Sequence, residues 1–174
     1  YVMAAMLFEK AVAQGDPDSM YDLAHLYRNV ARNCSPSKLE IVLYRNGQSV
    51  VQSFEKSVEL YTMAIEQGDV KAMYNLGIMY QNGEGVVQSF EKAVELFTMA
   101  VEQGHVKAMF NLGFMYGNGQ GVVQSSKKAA ELYTMAAEQG HVSAMYNLGN
   151  MYRIGQGVVQ SFKKAAELYT MAAE

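Results

Sequence analysis

The chain has 174 residues, half of them apolar and 18% charged, with a formal net charge of −3 spread along its length. No run approaches the roughly 18 apolar residues of a membrane span, and no basic run offers the electrostatic footprint of a protein that grips nucleic-acid phosphates, so neither a membrane span nor a nucleic-acid partner is expected. One cysteine, Cys34, excludes an internal disulfide framework and a multi-cysteine metal site, and is compatible with a reducing, cytoplasmic compartment.

The sequence repeats itself. The 36 residues from Ala72 to Lys107 return almost unchanged from Ala108 and again from Ala144, which predicts a stacked array of helical units burying a core between neighbours. The units are a leading half repeat over 1–15, repeat 1 over 16–68 with an insertion at about 30–46, and then repeats at 69–104, 105–140 and 141–174. Both ends look cut from a longer array, because neither carries the polar cap that protects a terminal repeat, and targeting signals then fall outside this segment.

In repeat 1, Asp16 and Pro17 supply an N-cap acceptor and a proline suited to the first helical position. Met20 and Met73 are 53 residues apart, 17 more than the period, and the excess lies between Arg28 and Tyr44. Ser35 and Pro36 predict a short extra helix through Leu39, Ile41, Val42 and Leu43, with a strand as the alternative because of the β-branched pair. The segment also holds a Ser-Pro string at Ser35 that resembles a kinase site. An Asn-Cys-Ser sequon begins at Asn33, weakened by Pro36 directly after it.

In repeat 2, Ala72, Leu76 and Met79 give an apolar stripe that predicts a first helix from about Lys71 to Tyr80, capped by Asp69. A second helix starts after Ser89 and carries Ala93, Leu96, Phe97, Ala100 and Val101 inward, ending before Gly104. Glu91, Glu95, Thr98 and Glu102 make its solvent face. Gly15, Gly68, Gly104 and Gly140 read as left-handed helix stops. Gly77, Gly113 and Gly149 sit inside the first helix, where glycine costs about 1 kcal/mol relative to alanine; a close helix crossing that admits only glycine or alanine accounts for them, and Ala24 stands there in repeat 1. Met63, Met99, Met135 and Met171 recur at one register and are expected to fill the core.

These residues, with the loop glycines Gly83 and Gly85, Lys92-Ala93 and Glu102-Gln103-Gly104, resemble the Sel1-like repeat over nearly the whole chain. The resemblance implies an all-α fold, a right-handed α/α superhelix or solenoid related to tetratricopeptide repeats, acting as an adaptor or scaffold in protein complexes. Ser53, Ser89, Ser125 and Ser161 stand where the family often has an acidic residue. A cysteine-rich bacterial branch includes penicillin-binding or weakly β-lactamase-like members; this chain lacks those cysteines, and the resemblance lends that activity no support.

About 26 of 36 positions agree between the units starting at Met73 and Met109, exposed ones included, so identity between repeats reports duplication rather than function. The differences fall partly on one face of the first helices, where analogy places a concave surface: Tyr21, His25 and Arg28; Tyr74, Ile78 and Gln81; Phe110, Phe114 and Gly117; Tyr146, Asn150 and Arg153. An aromatic ladder with variable neighbours suits a protein or peptide partner. The alternative is that the rings pack between adjacent first helices and never meet a partner. Beside the ladder, Lys71 with Asn75 and Lys107 with Asn111 share a face on which a peptide carboxylate clamp is conceivable. Ser143 with Asn147, and Asp18 with Asp22, break that pattern.

No nucleophile stands with a base and an orienting partner, and the Gly-Glu-Gly and Gly-Gln-Gly loops do not match a phosphate cradle. His105 and His141 occupy the helix-start position of Asp69, one per repeat, too far apart for a zinc site. The expected function is a non-enzymatic scaffold without cofactor or metal, holding a protein or peptide; a hydrolase of the family and a self-associating structural array are the rivals.

Overall fold

The structure, a computed structural model, describes residues 12–33 and 50–173. The leading half repeat up to residue 11, the extra helix expected from Ser35, and Cys34 lie outside the described residues. Those residues form eight helices and no strand: α1 Pro17–Asn33, α2 Val50–Glu66, α3 Val70–Asn82, α4 Phe90–Glu102, α5 Val106–Asn118, α6 Ser126–Glu138, α7 Val142–Ile154 and α8 Phe162–Ala173. The chain divides between Ser89 and Phe90 into two compact units. In the first, α2 packs against both α1 and α3; in the second, α4 to α8 pack each on the next.

The helix boundaries follow from local chemistry. Asp16 accepts from the Ser19 N–H at 3.1 Å, Asp69 from Ala72 at 2.9 Å, and Ser125 from Lys128 at 3.3 Å, each satisfying an orphan donor of a first turn. Gly104 takes φ +81°, the left-handed conformation that ends α4, as expected of its register. Glu91, Glu95 and Glu102 are exposed; Thr98 is half-buried and donates to the Val94 carbonyl at 2.8 Å. Repeat 1 departs from the others, since α1 has 17 residues where α3 has 13, so residues 30–33, expected to open the insertion, continue the helix.

The core of the second unit joins Met109, Ala129, Tyr133, Ala136, Met145 and Leu148, among others. Its methionines are Met109, Met115, Met145 and Met151, and Met20, Met73 and Met79 fill the same role in the first unit. The expectation for Met63, Met99, Met135 and Met171 is therefore corrected: they are 41%, 40%, 40% and 51% exposed. Around each second helix the inward arc is already filled by alanines and one large ring, such as Ala129, Tyr133 and Ala136 in α6, and the methionine register falls outside it.

The helical glycines are explained by a ring rather than by backbone crossing alone. A Cβ on Gly113 would lie 2.9 Å from Tyr133 Cε1 and 3.3 Å from Leu132 Cβ, and one on Gly149 would lie 2.7 Å from Tyr169 Cε1. Gly117, one turn later in α5, has only Ala129 Cβ at 3.8 Å, an ordinary contact.

Two substitutions in one helix separate these cases. Gly113→Leu should lower unfolding free energy by about 2 to 3 kcal/mol through overpacking, whereas Gly117→Ala should raise it by about 0.5 to 1 kcal/mol through helix propensity. Urea unfolding followed by circular dichroism measures both; a tolerated Gly113→Leu, or a Gly117→Ala that costs as much as Gly113→Leu, would contradict the packing described.

Candidate functional site

In the first unit the predicted face is drawn into a polar network. Arg28 is 4% exposed, its Nε donating to Glu84 Oε2 at 2.9 Å and its Nη1 to Asn75 Oδ1 at 2.8 Å. Arg32 reaches the same carboxylate through Nε, 3.1 Å from Glu84 Oε1. Burial alone would raise the Glu84 pKa, but hydrogen bonds from Arg32, Asn82 and Arg28 outweigh it and hold the carboxyl below its ordinary range. Tyr61, wholly buried on α2, has its hydroxyl pushed up by burial, with Arg28 pulling the other way. Arg28 Nη2 and the Tyr61 hydroxyl are buried without a hydrogen bond of good geometry.

Asn75 gives its amide protons to the Tyr21 hydroxyl (3.2 Å) and the Lys71 carbonyl (2.9 Å). Lys71 Nζ lies 5.6 Å above the Tyr21 ring. With Arg28 on Asn75 Oδ1, the side-chain amide of Asn75 is engaged within the unit, while Lys71 stays exposed. Arg28 is a buried structural cation and not a surface contact. What stays accessible is His25, exposed and stacked on Tyr21 at 5.9 Å with Asn29 Nδ2 2.9 Å from its Nδ1. Tyr74, Ile78 and Gln81 are half-buried.

In the second unit the rings pack on their own repeat's second helix. Phe110 lies 5.7 Å from Tyr133 and stacks on His141 at 4.7 Å; Tyr146 lies 5.7 Å from Tyr169. Tyr133 and Tyr169, which carry these contacts, stand at the register of Phe97 and were not singled out in the sequence. Tyr146 is nonetheless 56% exposed and Phe114 43% exposed, so the outer halves of the rungs face solvent. Asn111 is half-buried and Arg153 exposed.

Phe114, Gly117, Asn147 and Asn150 converge on a groove of about 250 Å³ whose wall includes Asn118, Ser126, Tyr133 and Gln156. Charge is absent from this wall. The Tyr169 hydroxyl donates to Asn150 Oδ1 at 2.9 Å. Burial raises the Tyr133 hydroxyl pKa, opposed by a hydrogen bond with Asn147. Asn118 and Gln156 are groove residues that the sequence reading missed; they stand at the end of α5 and in the loop after α7, off the first-helix face on which attention fell.

The histidines at helix starts are caps. His105 Nδ1 accepts from Ala108 N–H and His141 Nδ1 from Ala144 N–H, each at 3.2 Å, a role only an unprotonated nitrogen can fill. Among the described residues no group of His, Cys, Asp and Glu is arranged to hold a metal ion.

Helical hairpins capped, stopped and stacked in this way define an α-helical repeat protein. Its family is settled by sequence: the chain belongs to the Sel1 repeat family, whose model matches residues 1–16, 42–69, 70–105, 106–141 and 142–174. Among solved structures it is similar to a protective antigen of uropathogenic Escherichia coli with an SLR fold, at 28% identity and TM-score 0.80. The match covers 97% of this chain and 32% of that one. A Sel1 repeat protein of Oxalobacter formigenes matches at 30% identity and TM-score 0.75, over 92% of this chain and 59% of that one. Cysteine-rich protein B of Helicobacter pylori shares the fold at 23% identity and TM-score 0.57, over 73% of this chain and 91% of that one. The chain thus spans about a third and three-fifths of the lengths of the first two. No curated protein matches it by sequence.

The cap at His105 carries a pH signature. Its pKa is lowered, first by burial and then by Lys107, against a raising backbone hydrogen bond. The unfolded chain therefore takes up the proton more readily, and the stability this cap contributes is present above about pH 6.5 and lost as pH falls through the depressed folded value. Thermal melts between pH 8 and 5 should show stability declining below about pH 6.5, and His105→Asp, which copies Asp69, should flatten the decline in that window. An unchanged slope in His105→Asp would remove His105 as its source. Glu84 acts lower on the scale, its contribution fading only below its ordinary carboxylate range.

Proposed function

We propose that this chain is a non-enzymatic scaffold that holds a protein or peptide on the accessible first-helix residues, chiefly in the groove beside Phe114 and Asn150. Sel1 repeats mediate protein interactions, which sets the class; the groove is the observation that carries the finer reading. Its walls pair a half-exposed ring with side-chain amides, a combination that buries apolar area while matching the alternating donors and acceptors of a peptide backbone. With no cation in the wall, a partner's terminal carboxylate gains nothing there, and an uncharged internal segment fits best. His25, Tyr74, Ile78 and Gln81 offer a second, smaller contact on the first unit. No cofactor enters this reading, and the family's β-lactamase-like branch draws no support from a chain without repeat cysteines.

A photo-crosslinking amino acid at Phe114 tests this in the native cells, beside the same probe at Glu131 on the opposite helix surface. Discrete protein adducts from position 114, lost on Asn150→Ala, are expected. Adducts from 131 alone would refute the groove as the binding site.

A further inference from the structure

The groove of the second unit lies where the first unit buries a side chain of its own. With the insertion allowed for, Arg28 stands at the register of Gly117, Asn75 at that of Asn147, Glu84 at that of Gln156 and Tyr61 at that of Tyr133. In the first unit the guanidinium of Arg28 is lodged among these residues, Nε on Glu84 at 2.9 Å and Nη1 on Asn75 at 2.8 Å, close enough to Tyr61 to favour its ionised form. In the second unit Gly117, Tyr133, Asn147 and Gln156 all line the groove of about 250 Å³. Outside its own helix backbone, a Cβ on Gly117 would meet only Ala129 Cβ, at 3.8 Å. The groove is thus a slot whose occupant the chain supplies in one unit and omits in the other.

The partner of that occupant changes with it. Arg28 precedes Glu84 in register, Gln81 precedes Gln120, and Gly117 precedes Gln156, so the acid is kept only where the chain provides the cation. A carboxylate only accepts hydrogen bonds and a guanidinium only donates them, which makes Arg28 and Glu84 complementary. A side-chain amide does both. Gln156 is exposed and gives one amide proton to Ser126 Oγ at 3.2 Å, so its inventory still includes a donor and an acceptor. That pair complements a second side-chain amide and not a guanidinium.

The neighbouring groups agree. The hydrogen bond between Asn147 and Tyr133 favours the ionised phenol, so the amide is its donor, as Asn75 is toward Tyr21. Asn147 Oδ1 then stands at the register of the oxygen that accepts from Arg28 Nη1. No residue lining the groove is charged. An arginine entering it would leave water without a carboxylate to meet it, which is costly, whereas a neutral amide carries no such penalty.

We infer that this groove holds a glutamine side chain of its partner, seated where Arg28 sits in the first unit, and that Gln156 selects it by one donated and one accepted hydrogen bond. Glutamine carries the amide on the longer stem, and it is what the chain itself keeps at the Arg28 register in Gln81. The inference rests on the reading of the groove as a peptide site and adds which residue enters it.

The test is selection of a phage-displayed library of random linear peptides on the full chain and on two variants that copy the first unit. Gln156→Glu copies Glu84, and Gly117→Arg with Gln156→Glu copies the whole pair, filling the slot from within. The wild-type chain should enrich glutamine at one fixed position, and replacing it with leucine in a selected peptide should weaken binding about tenfold. Gln156→Glu should shift the enriched residue to arginine. The double variant should bind none of the selected peptides while its circular dichroism stays that of the wild type. Peptides that lose binding to the double variant but share no glutamine overturn this inference and leave the groove as the peptide site; an unchanged preference in Gln156→Glu removes Gln156 as the selector. Peptides that bind the double variant as tightly as the wild type, or no enrichment at all, overturn the groove reading and this inference with it.

Discussion

The stack depends on one backbone contact. The second glycine of each loop lies against the first turn of the preceding second helix: a Cβ on Gly121 would fall 2.4 Å from the Phe90 carbonyl carbon, and one on Gly85 would fall 2.8 Å from that of Phe54. No side-chain rearrangement relieves a clash with backbone. This contact fixes how far one repeat sits from the next within each unit, and with it the width of the groove between α5 and α7 and the alignment of the loops. Gly121 also holds φ +67°, so the close approach and the left-handed backbone select glycine together.

Around that constraint the repeats are tied by means that differ between the two units. In the second, Tyr133 of α6 and Tyr169 of α8 lie over Gly113 and Gly149 and support the rings beside them, Phe110 and Tyr146. The first unit has Ala24 in place of the glycine and adds a buried ion pair, Arg28 with Glu84, joined to Asn75. An ion pair withdrawn from water costs desolvation that only good geometry and further hydrogen bonds offset, and breaking one partner leaves a buried charge. Gln120 and Gln156 stand at the Glu84 position, and the first helices of the repeats preceding theirs carry Gln81 and Gly117 where α1 has Arg28. The pair is thus a local substitute for packing at the one repeat that also carries an insertion, and it withdraws from the surface a residue that would otherwise enrich the binding face.

Much of this was legible in the sequence because it rests on local rules. Caps at Asp16, Asp69 and Ser125, the stop at Gly104 and the helix-start place of His105 follow from neighbours a few residues away, and each stands as read. The misreadings have a common cause in long-range partners. Arg28 met Glu84 across 56 residues, and Asn75 was consumed by Tyr21 and Arg28, so a face that looks free on a helical wheel is partly spent. The register of Met63, Met99, Met135 and Met171 repeats as regularly as that of Met109, and periodicity alone does not say which of two registers points inward.

The account rests most directly on loop glycines acting through contact and not only through their backbone angle. Unfolding free energies of Gly121→Ala and Gly104→Ala separate the two, since Gly104 shares the left-handed conformation but has nothing within 4 Å of its would-be Cβ. Gly104→Ala should cost about 1 kcal/mol for the left-handed angle, and Gly121→Ala at least about 2 kcal/mol more for the clash with Phe90. Equal costs at the two sites would contradict the backbone contact on which the stacking of repeats is argued.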